Sequence, residues 1–190
     1  YMNKSKKLIP IIGIIIVLVL IIAAPYNSLV KLNEEVENSY SQVSTQIQRR
    51  ADLIPNLVNT VKGYANHEEE VLTKVTEARA KVQKAEGPKE LAEANDEMTQ
   101  AIRGLNINAI AEAYPELKAN QNFTALQDEL AGTENRIAVA RKDYNETVKL
   151  YNSKTKSFPT VITAKIFNFG PKEYFQADAG SENAPTVDFN

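Results

Sequence analysis

Residues 122–151, NFTALQDELAGTENRIAVARKDYNETVKLY, carry the clearest structural pattern of this sequence. Apolar or small side chains recur there at steps of three and four residues, and this spacing places them along one face of an α-helix. The positions on that face are Phe123, Leu126, Leu130, Thr133, Ile137, Ala140, Tyr144, Val148 and Tyr151. Asn122 has a side chain suited to cap the first turn. The pattern predicts a long helix that packs against partner helices over its whole length.

Three more helices are predicted upstream of this one. A first amphipathic stripe covers residues 26–50, without any Gly or Pro to interrupt it. It breaks at residues 51–55 (ADLIP), where an Asp cap followed by a Pro in the first turn indicates a new helix start. That second helix ends before residues 87–88 (GP), and a third extends from there to residues 114–115 (YP), because the residue before a proline is disfavoured in the α conformation.

Short connections between long helices make chain neighbours antiparallel. The sequence therefore predicts an all-α protein, with an N-terminal transmembrane helix followed by an elongated antiparallel bundle of three to four long helices over residues 26–157. A dimeric coiled coil is the competing arrangement, but several separate apolar stripes in one chain favour packing within the chain.

A membrane anchor is predicted at residues 8–25. Every residue from Leu8 to Ala24 (LIPIIGIIIVLVLIIAA) is uncharged. The length of this run, 17 residues, reaches the lower limit for a helix that spans a bilayer. Lysines in the short basic segment 1–7 place the N-terminus in the cytoplasm by the positive-inside rule, and Tyr26 is a typical interfacial residue. A cleaved signal peptide is the alternative, although no small-x-small cleavage site precedes Pro25.

These features predict a single-pass membrane protein, with the lipid bilayer as a partner and the bundle on the extracytoplasmic side. Because no breaker follows Pro25 until residue 51, the anchor and the first helix could form one continuous rod, with Pro25 at most kinking it.

The composition gives little support to nucleic-acid binding, catalysis or metal binding. The 22 Lys+Arg and 24 Asp+Glu nearly balance, which argues against nucleic acid as a partner. The chain has no Cys and one His, His67, whose neighbourhood lacks the second histidine of a zinc-protease motif, since Val71 takes that place. No catalytic, cofactor-binding or metal site and no small-molecule substrate is therefore predicted.

A few charged residues interrupt otherwise regular stripes. They are Arg49, Arg50 and Asp52 in the upstream helices, and Glu134 and Arg136 in the last one. Interhelical ion pairing that fixes the register of the helices is the favoured interpretation, because guanidinium suits a partly buried fork with carboxylate. A patch for a ligand or a partner is the alternative.

The last 33 residues, 158–190, differ from the rest, because they hold five of the six phenylalanines and end in a polar tail. A dense group of aromatic residues predicts a docking segment, which binds either its own bundle or another subunit. The candidate contact residues are Phe167, Phe169, Tyr174 and Phe175.

Several blocks of this sequence resemble the bacterial LemA family, and the likeness covers residues 4–169. The blocks are YNSLV (26–30), RRADLIPNLV (49–58), VKGYANHE (61–68), YPELKAN (114–120), TENRIA (133–138), YN (144–145), YN (151–152) and FP (158–159). The resemblance implies a membrane-anchored antiparallel helical bundle, and it implies that the membrane is a bacterial cell (inner) membrane. It implies no agreed activity and no catalytic residue, although genes of the family often neighbour those of membrane proteases.

The expected function is that of a non-enzymatic envelope protein that acts as a structural or assembly scaffold and associates with itself, because shared anchoring raises the effective concentration of the copies. The alternative is an adaptor or substrate-presenting subunit of a membrane protease or transporter. A third hypothesis, an enzyme or metal carrier that uses acidic faces, would place its site at Glu68 or Glu69.

Overall fold

A computed structural model describes residues 5–64 and 69–175, with the side chains of residues 10–64 and 69–175. The described chain is helical without any strand, which confirms the all-α fold predicted from the sequence. Its helices are α1 (Ser5–Lys62), α2 (Glu69–Lys84), α3 (Gly87–Gly104), α4 (Ile107–Ala113), α5 (Pro115–Lys118), α6 (Gln121–Lys156) and α7 (Thr160–Ile166).

Helix α1 runs without interruption through residues 51–55, so the predicted helix start at this position is wrong. A proline inside a helix cannot donate to the carbonyl four residues earlier, which for Pro55 is the carbonyl of Ala51. In the structure that carbonyl accepts a hydrogen bond of 3.1 Å from Nε of Arg79 instead. The bond satisfies the carbonyl from α2, and the first predicted helix continues into the start of the second. The aliphatic segment and the first predicted helix also form one continuous helix, which confirms the predicted rod.

The second and third predicted helices are also divided differently. Only α2 and the end of α1 remain of the second, and the third splits into α3 and α4. The split falls at Asn106, whose φ of 46° lies in the left-handed region that Asn tolerates better than most residues. Gly87, with a φ of 80°, allows the tight passage from α2 into α3. The predicted helix end before Pro115 is confirmed, because Tyr114 leaves the helical conformation there.

The long helix predicted from residues 122–151 is confirmed as α6, but its cap is different from the predicted one. Oδ1 of Asn120 accepts hydrogen bonds from the backbone N–H groups of Asn122, at 2.9 Å, and Phe123, at 3.4 Å. Asn120 is therefore the N-cap, and Asn122 is already inside the first turn.

The described chain separates into two compact units. One comprises the described parts of residues 1–39 and 145–173, and the other those of residues 40–144 and 174–190. Parts of α1 and α6 belong to each unit.

The unit of residues 40–144 is an antiparallel arrangement of α1, α2, α3 and α6. Along α1, Tyr40 contacts Tyr144 at a ring distance of 5.9 Å, whereas Arg49 pairs with Glu129, so α6 runs in the opposite direction. Helix α3 is antiparallel to α6 in the same way, and the short turn at Gly87 folds α2 back on α3. The core of this unit contains Val43, Ile47, Ile54, Leu57, Val61, Val75, Met98, Leu105, Leu117, Phe123 and Ile137.

In the unit of residues 1–39 and 145–173, the segment around Lys172 is bound to α6 and α1. Nδ2 of Asn152 donates to the carbonyl of Lys172 at 2.9 Å, and the N–H of Lys172 donates back to Oδ1 of Asn152 at 2.8 Å. Nζ of Lys172 lies 2.9 Å from Oε1 of Glu37 on α1. One asparagine thus satisfies a backbone amide and carbonyl that no helix would satisfy.

The N-terminal part of α1 exposes its aliphatic side chains. Every residue from Ile11 to Ile21 except Gly13 is a large aliphatic residue with 45–61% of its surface exposed. Within the described chain, α1 is the one helix long and apolar enough to cross a membrane.

Candidate interaction site

The guanidinium of Arg50 lies in the interior of the helical bundle, where only 2% of the residue is exposed. Helix α1 supplies Arg50 and directs it between α3 and α6. Its Nη1 donates to Oγ1 of Thr99 at 2.9 Å, and its Nη2 lies 3.7 Å from Oε2 of Glu134. Glu134 also pairs with Arg103 at 3.3 Å.

Burial lowers the pKa of Arg50, because desolvation disfavours its charge, while the carboxylate of Glu134 acts in the opposite direction. A guanidinium stays protonated under ordinary conditions, so the bundle retains a buried positive charge. Its Nε and the Oδ1 of Asn95 are buried without a hydrogen-bond partner among the described residues. Glu134 and Thr99 therefore provide most of the compensation for this charge.

A second, more exposed network lies on the α1 and α6 surface. Glu129 Oε1 accepts from Nε of Arg49 at 2.8 Å and from Nη2 of Arg136 at 2.9 Å. Nε of Arg136 also donates to Oε1 of Gln46 at 3.1 Å. A Cβ at Gly132 would come within 3.1 Å of the Arg136 guanidinium, so the glycine leaves room for this arginine to lie flat along α6.

The charged residues singled out in the sequence therefore occupy two neighbouring networks. Arg50 and Glu134 form the inner one, and Arg49 and Arg136 share Glu129 in the outer one. Asp52 takes part in neither network, because its Oδ1 accepts from Gln48 on the same helix at 3.0 Å.

The aromatic candidates of the C-terminal segment lie in different surroundings. The rings of Phe167 and Phe169 pack on Tyr26 at 4.6 and 5.8 Å. Tyr174 is 45% exposed. Phe175 is buried, with 1% of its surface exposed.

In the unit of residues 40–144, the ring of Phe175 lies 6.0 Å from that of Tyr144, nearly perpendicular to it. The guanidinium carbon of Arg141 lies 5.3 Å above the Phe175 ring, and Nη1 of Arg141 is 3.1 Å from Oδ1 of Asp96. The segment thus makes cation–π and edge contacts of the kind that anchor a docked aromatic side chain.

Sequence reasoning missed several residues that organise these sites. Arg79 and Thr99 lie on helix faces without a local signal, because their function depends on groups that are distant in sequence. Asn152 had a usable signal, since it belongs to one of the short blocks that resemble the LemA family.

A groove of about 580 Å³ opens between α1 and α6 in the unit of residues 40–144. Small or polar residues of α1, such as Ser41 and Thr45, form one wall, and Val139 and Ala140 of α6 lie on the other. Val139 is 61% exposed and gives the groove apolar surface.

The arrangement is suited to holding helices in register. In the parts of the chain that the structure describes, no three His, Asp or Glu side chains converge as metal ligands would. His67 and Glu68 lie outside the described residues. Each arginine of the two networks is held by oxygen acceptors, and paired ions of this kind specify geometry more than they stabilise it.

These features define the class of the protein: a membrane-associated, all-α bundle with arginine–carboxylate pairs between its helices. Residues 39–189 match the LemA family, and the chain belongs to that family.

Relatives with names of their own fall into two groups. Protein LemA of Metamycoplasma hominis is 28% identical over 151 residues, and the match covers 80% of this chain and 68% of the relative. Magnetosome protein MamQ 2 of Paramagnetospirillum magneticum is 25% identical over 175 residues, covering 80% of this chain and 64% of the relative. Magnetosome protein MamQ of Magnetospirillum gryphiswaldense is 24% identical over 174 residues, with 79% and 64% covered. The match thus spans less than two thirds of the length of these magnetosome proteins. None of the names of these relatives denotes an enzyme.

Proposed function

We propose that this protein is a single-pass membrane scaffold without enzymatic activity, whose helical bundle associates with further copies of itself. Residues 8–25 of α1 span the bilayer in this proposal, with the N-terminus in the cytoplasm and the bundle on the extracytoplasmic side. The observation that carries the proposal is apolar surface that the described chain leaves uncovered.

The first such surface supports the membrane anchor. The side chains of Ile11–Ile21 are about half exposed and form a continuous aliphatic surface around the helix. A helix that is apolar on all sides requires an apolar environment, and the described chain packs none of its own elements there. Lipid hydrocarbon would supply this environment.

The second surface supports self-association. Val139 is exposed in the groove between α1 and α6, and the groove is bordered by Arg136 at 43% side-chain exposure and by Gln46. An apolar centre with a polar rim is the usual composition of a protein–protein interface. Anchoring in two dimensions raises the effective concentration of the copies, so even a modest contact would suffice.

Light scattering of the full-length protein after size-exclusion chromatography in mild detergent tests this proposal. The wild type is compared with Val139→Arg and with Leu150→Arg, a matched control, because both residues lie on α6 with 61% exposure and Leu150 is outside the groove. We expect a discrete homo-oligomer for the wild type and for Leu150→Arg, and a smaller species for Val139→Arg, because a buried unpaired arginine disfavours the contact.

The chains that elute together distinguish the alternatives. A monomer that carries a stoichiometric foreign protein would contradict the scaffold and favour the adaptor of a membrane protease or transporter. Equal masses for the two variants and the wild type would show that the groove is not the contact.

A further inference from the structure

Helix α7 has its polar and apolar faces reversed with respect to an ordinary surface helix. The residues that it buries are Thr160, Thr163 and Ala164, with 1–4% exposure. On the opposite side, Ile162 is 45% and Ile166 is 58% exposed. Soluble proteins bury isoleucine and expose threonine, so this face is built for an apolar environment.

Two exposed phenylalanines flank α7 in the sequence. Phe158, which precedes the helix, is 82% exposed, and Phe167, which follows it, is 49% exposed. Phe158, Ile162 and Ile166 are spaced four residues apart in the sequence. We use the term α7 face for Phe158, Ile162, Ile166 and Phe167.

The segment that carries the α7 face has only positive charges. Residues 153–172 contain four lysines and no Asp or Glu. Lys172 pairs with Glu37, whereas Lys154, Lys156 and Lys165 are exposed. Exposed aromatic and aliphatic side chains among lysines are typical of segments that lie in the interface of an anionic membrane.

The α7 face also lies beside the end of the aliphatic segment. Within the unit that contains both, the ring of Phe167 is 4.6 Å from that of Tyr26. Tyr26 follows the last residue of the aliphatic run, Ala24, by two positions. If α1 spans the bilayer, Phe167 is at the depth of the interface, where aromatic rings are preferred.

We propose that the α7 face binds the surface of the bilayer in which the same chain is anchored, with its lysines at the phosphates of anionic lipids. The inference rests on the membrane anchor of the proposed function, and it adds a second membrane contact more than 130 residues along the chain from the first, because Tyr26 and Ile162 are 136 positions apart. A second copy of the chain is a poorer occupant, because the same lysines would face each other across a contact between two α7 faces.

Depth measurement with spin labels tests the proposal, and the chain is suited to it because it has no cysteine. The full chain is reconstituted into vesicles of equal parts phosphatidylcholine and phosphatidylglycerol. Single nitroxides are placed through Ile162→Cys and Ile166→Cys, and collision with oxygen is compared with collision with a water-soluble nickel complex. Val17→Cys reports on the anchor.

Leu150→Cys is the matched aqueous control. Leu150 is as exposed as Ile166, at 61% and 58%. It lies two residues from Asn152, which holds Lys172 and through it Glu37, 11 positions and roughly 16 Å along α1 from Tyr26. This label should therefore remain in water when the α7 labels are in lipid.

We expect the oxygen-to-nickel collision ratio at positions 162 and 166 to exceed that at position 150 several-fold and to approach the ratio at position 17. Replacing Lys154, Lys156 and Lys165 with Gln should reduce the difference in these anionic vesicles. A lipid-exposed label at 17 with water-exposed labels at 162 and 166 would overturn this inference and leave the anchor intact.

Two other results would also be decisive. Labels at 162 and 166 that are shielded from both reagents and broadened by a neighbouring spin would show a contact between copies, which overturns the inference. A water-exposed label at 17 would contradict the membrane anchor itself, and the α7 proposal would fail with it.

Discussion

Arg50 sets the chemical character of the bundle interior. A charge that is taken out of water must be compensated, and here one half-exposed carboxylate and one hydroxyl supply the compensation. The orphaned Nε shows that the arrangement is not optimal for stability. This supports the interpretation that the inner network specifies how α1, α3 and α6 align.

Removal of the carboxylate should cost more than removal of the whole pair. We expect Glu134→Gln to lower the free energy of unfolding by about 1–3 kcal/mol, below the roughly 3–5 kcal/mol of a fully buried pair, because Glu134 is 46% exposed and partly screened. In an Arg50→Met background the same substitution should cost much less, since no buried charge remains. Urea unfolding in detergent, followed by circular dichroism, measures this cycle, and equal costs in both backgrounds would contradict it.

Tyr151 makes the stability of the folded state depend on pH in the alkaline range. Burial raises the pKa of its phenol above the ordinary value of about 10, while the ammonium of Lys172, 5.8 Å from the ring centre, opposes the shift. The folded state therefore keeps a proton that the unfolded state loses first. The stabilisation is complete below the unfolded pKa and is lost as the pH rises through the folded one.

Tyr151→Phe should consequently lose less stability than the wild type between about pH 8 and about pH 11, because phenylalanine does not titrate. Urea unfolding of both proteins across this range measures the difference, and the tyrosines and lysines that do not interact with Tyr151 cancel in the comparison. Parallel declines of the two proteins would show that Tyr151 titrates alike in the folded and unfolded states.

At the scale of elements, α1 depends on a contact from another helix. Its passage through Pro55 leaves the Ala51 carbonyl without an intrahelical donor, and Arg79 replaces that donor. Ala51 is fully buried, so water has no access to the carbonyl if the arginine is lost.

We expect Arg79→Met to lower the free energy of unfolding by about 1–3 kcal/mol, the usual cost of an unsatisfied buried polar group. In a Pro55→Ala background the penalty should shrink, because the N–H of the new alanine donates to the Ala51 carbonyl. Thermal unfolding of the four proteins gives the coupling, and the absence of coupling would show that Arg79 acts on stability through other contacts.

The sequence predicted those elements whose signal is local. The apolar stripe from Phe123 to Tyr151 continues over many turns, so the sequence predicts both the presence and the length of α6. Pro55 led to the wrong prediction of a helix start, because Arg79, which compensates for its missing N–H, is 24 positions away. The split at Asn106 was missed because a single left-handed residue leaves no mark on the apolar periodicity.

The candidate site was predictable only as a set of residue types. Arginines and glutamates that interrupt apolar stripes indicate ion pairs between helices, and the structure brings Arg50 to Glu134 and Arg49 to Glu129. Which partner each arginine takes depends on helix register, which no single stripe specifies. Asp52 is an example, because it is also a charged residue that interrupts a stripe, but its hydrogen-bond partner is Gln48 of the same helix.

At the scale of the whole molecule, a buried ring near the end of the described residues, that of Phe175, packs into the core. Phe175 is 1% exposed, whereas its neighbour Tyr174 is 45% exposed. We expect Phe175→Ala to lower the free energy of unfolding by about 3 kcal/mol, because a large core side chain is lost. Tyr174→Ala is the matched control and should change it little. Circular dichroism during urea unfolding in detergent compares them, and equal effects would mean that the Phe175 contact does not hold in solution.

The assembly in the membrane connects the anchor, the groove and the α7 face in one account. In the proposed assembly, lipid covers the aliphatic segment of α1, a second copy covers the groove at Val139, and the bilayer surface covers the α7 face. These three uncovered apolar surfaces thereby receive occupants that match their chemistry.

The copy number in the native membrane tests this account most directly. Polymer-bounded membrane discs are cut from cells that make the full-length protein, and the number of copies per disc is counted by single-molecule photobleaching of a fluorescent tag. We predict that the protein is found in the discs and that most occupied discs contain several copies. Discs with single copies at the same expression level, or protein that stays outside the discs, would contradict a self-associating membrane scaffold.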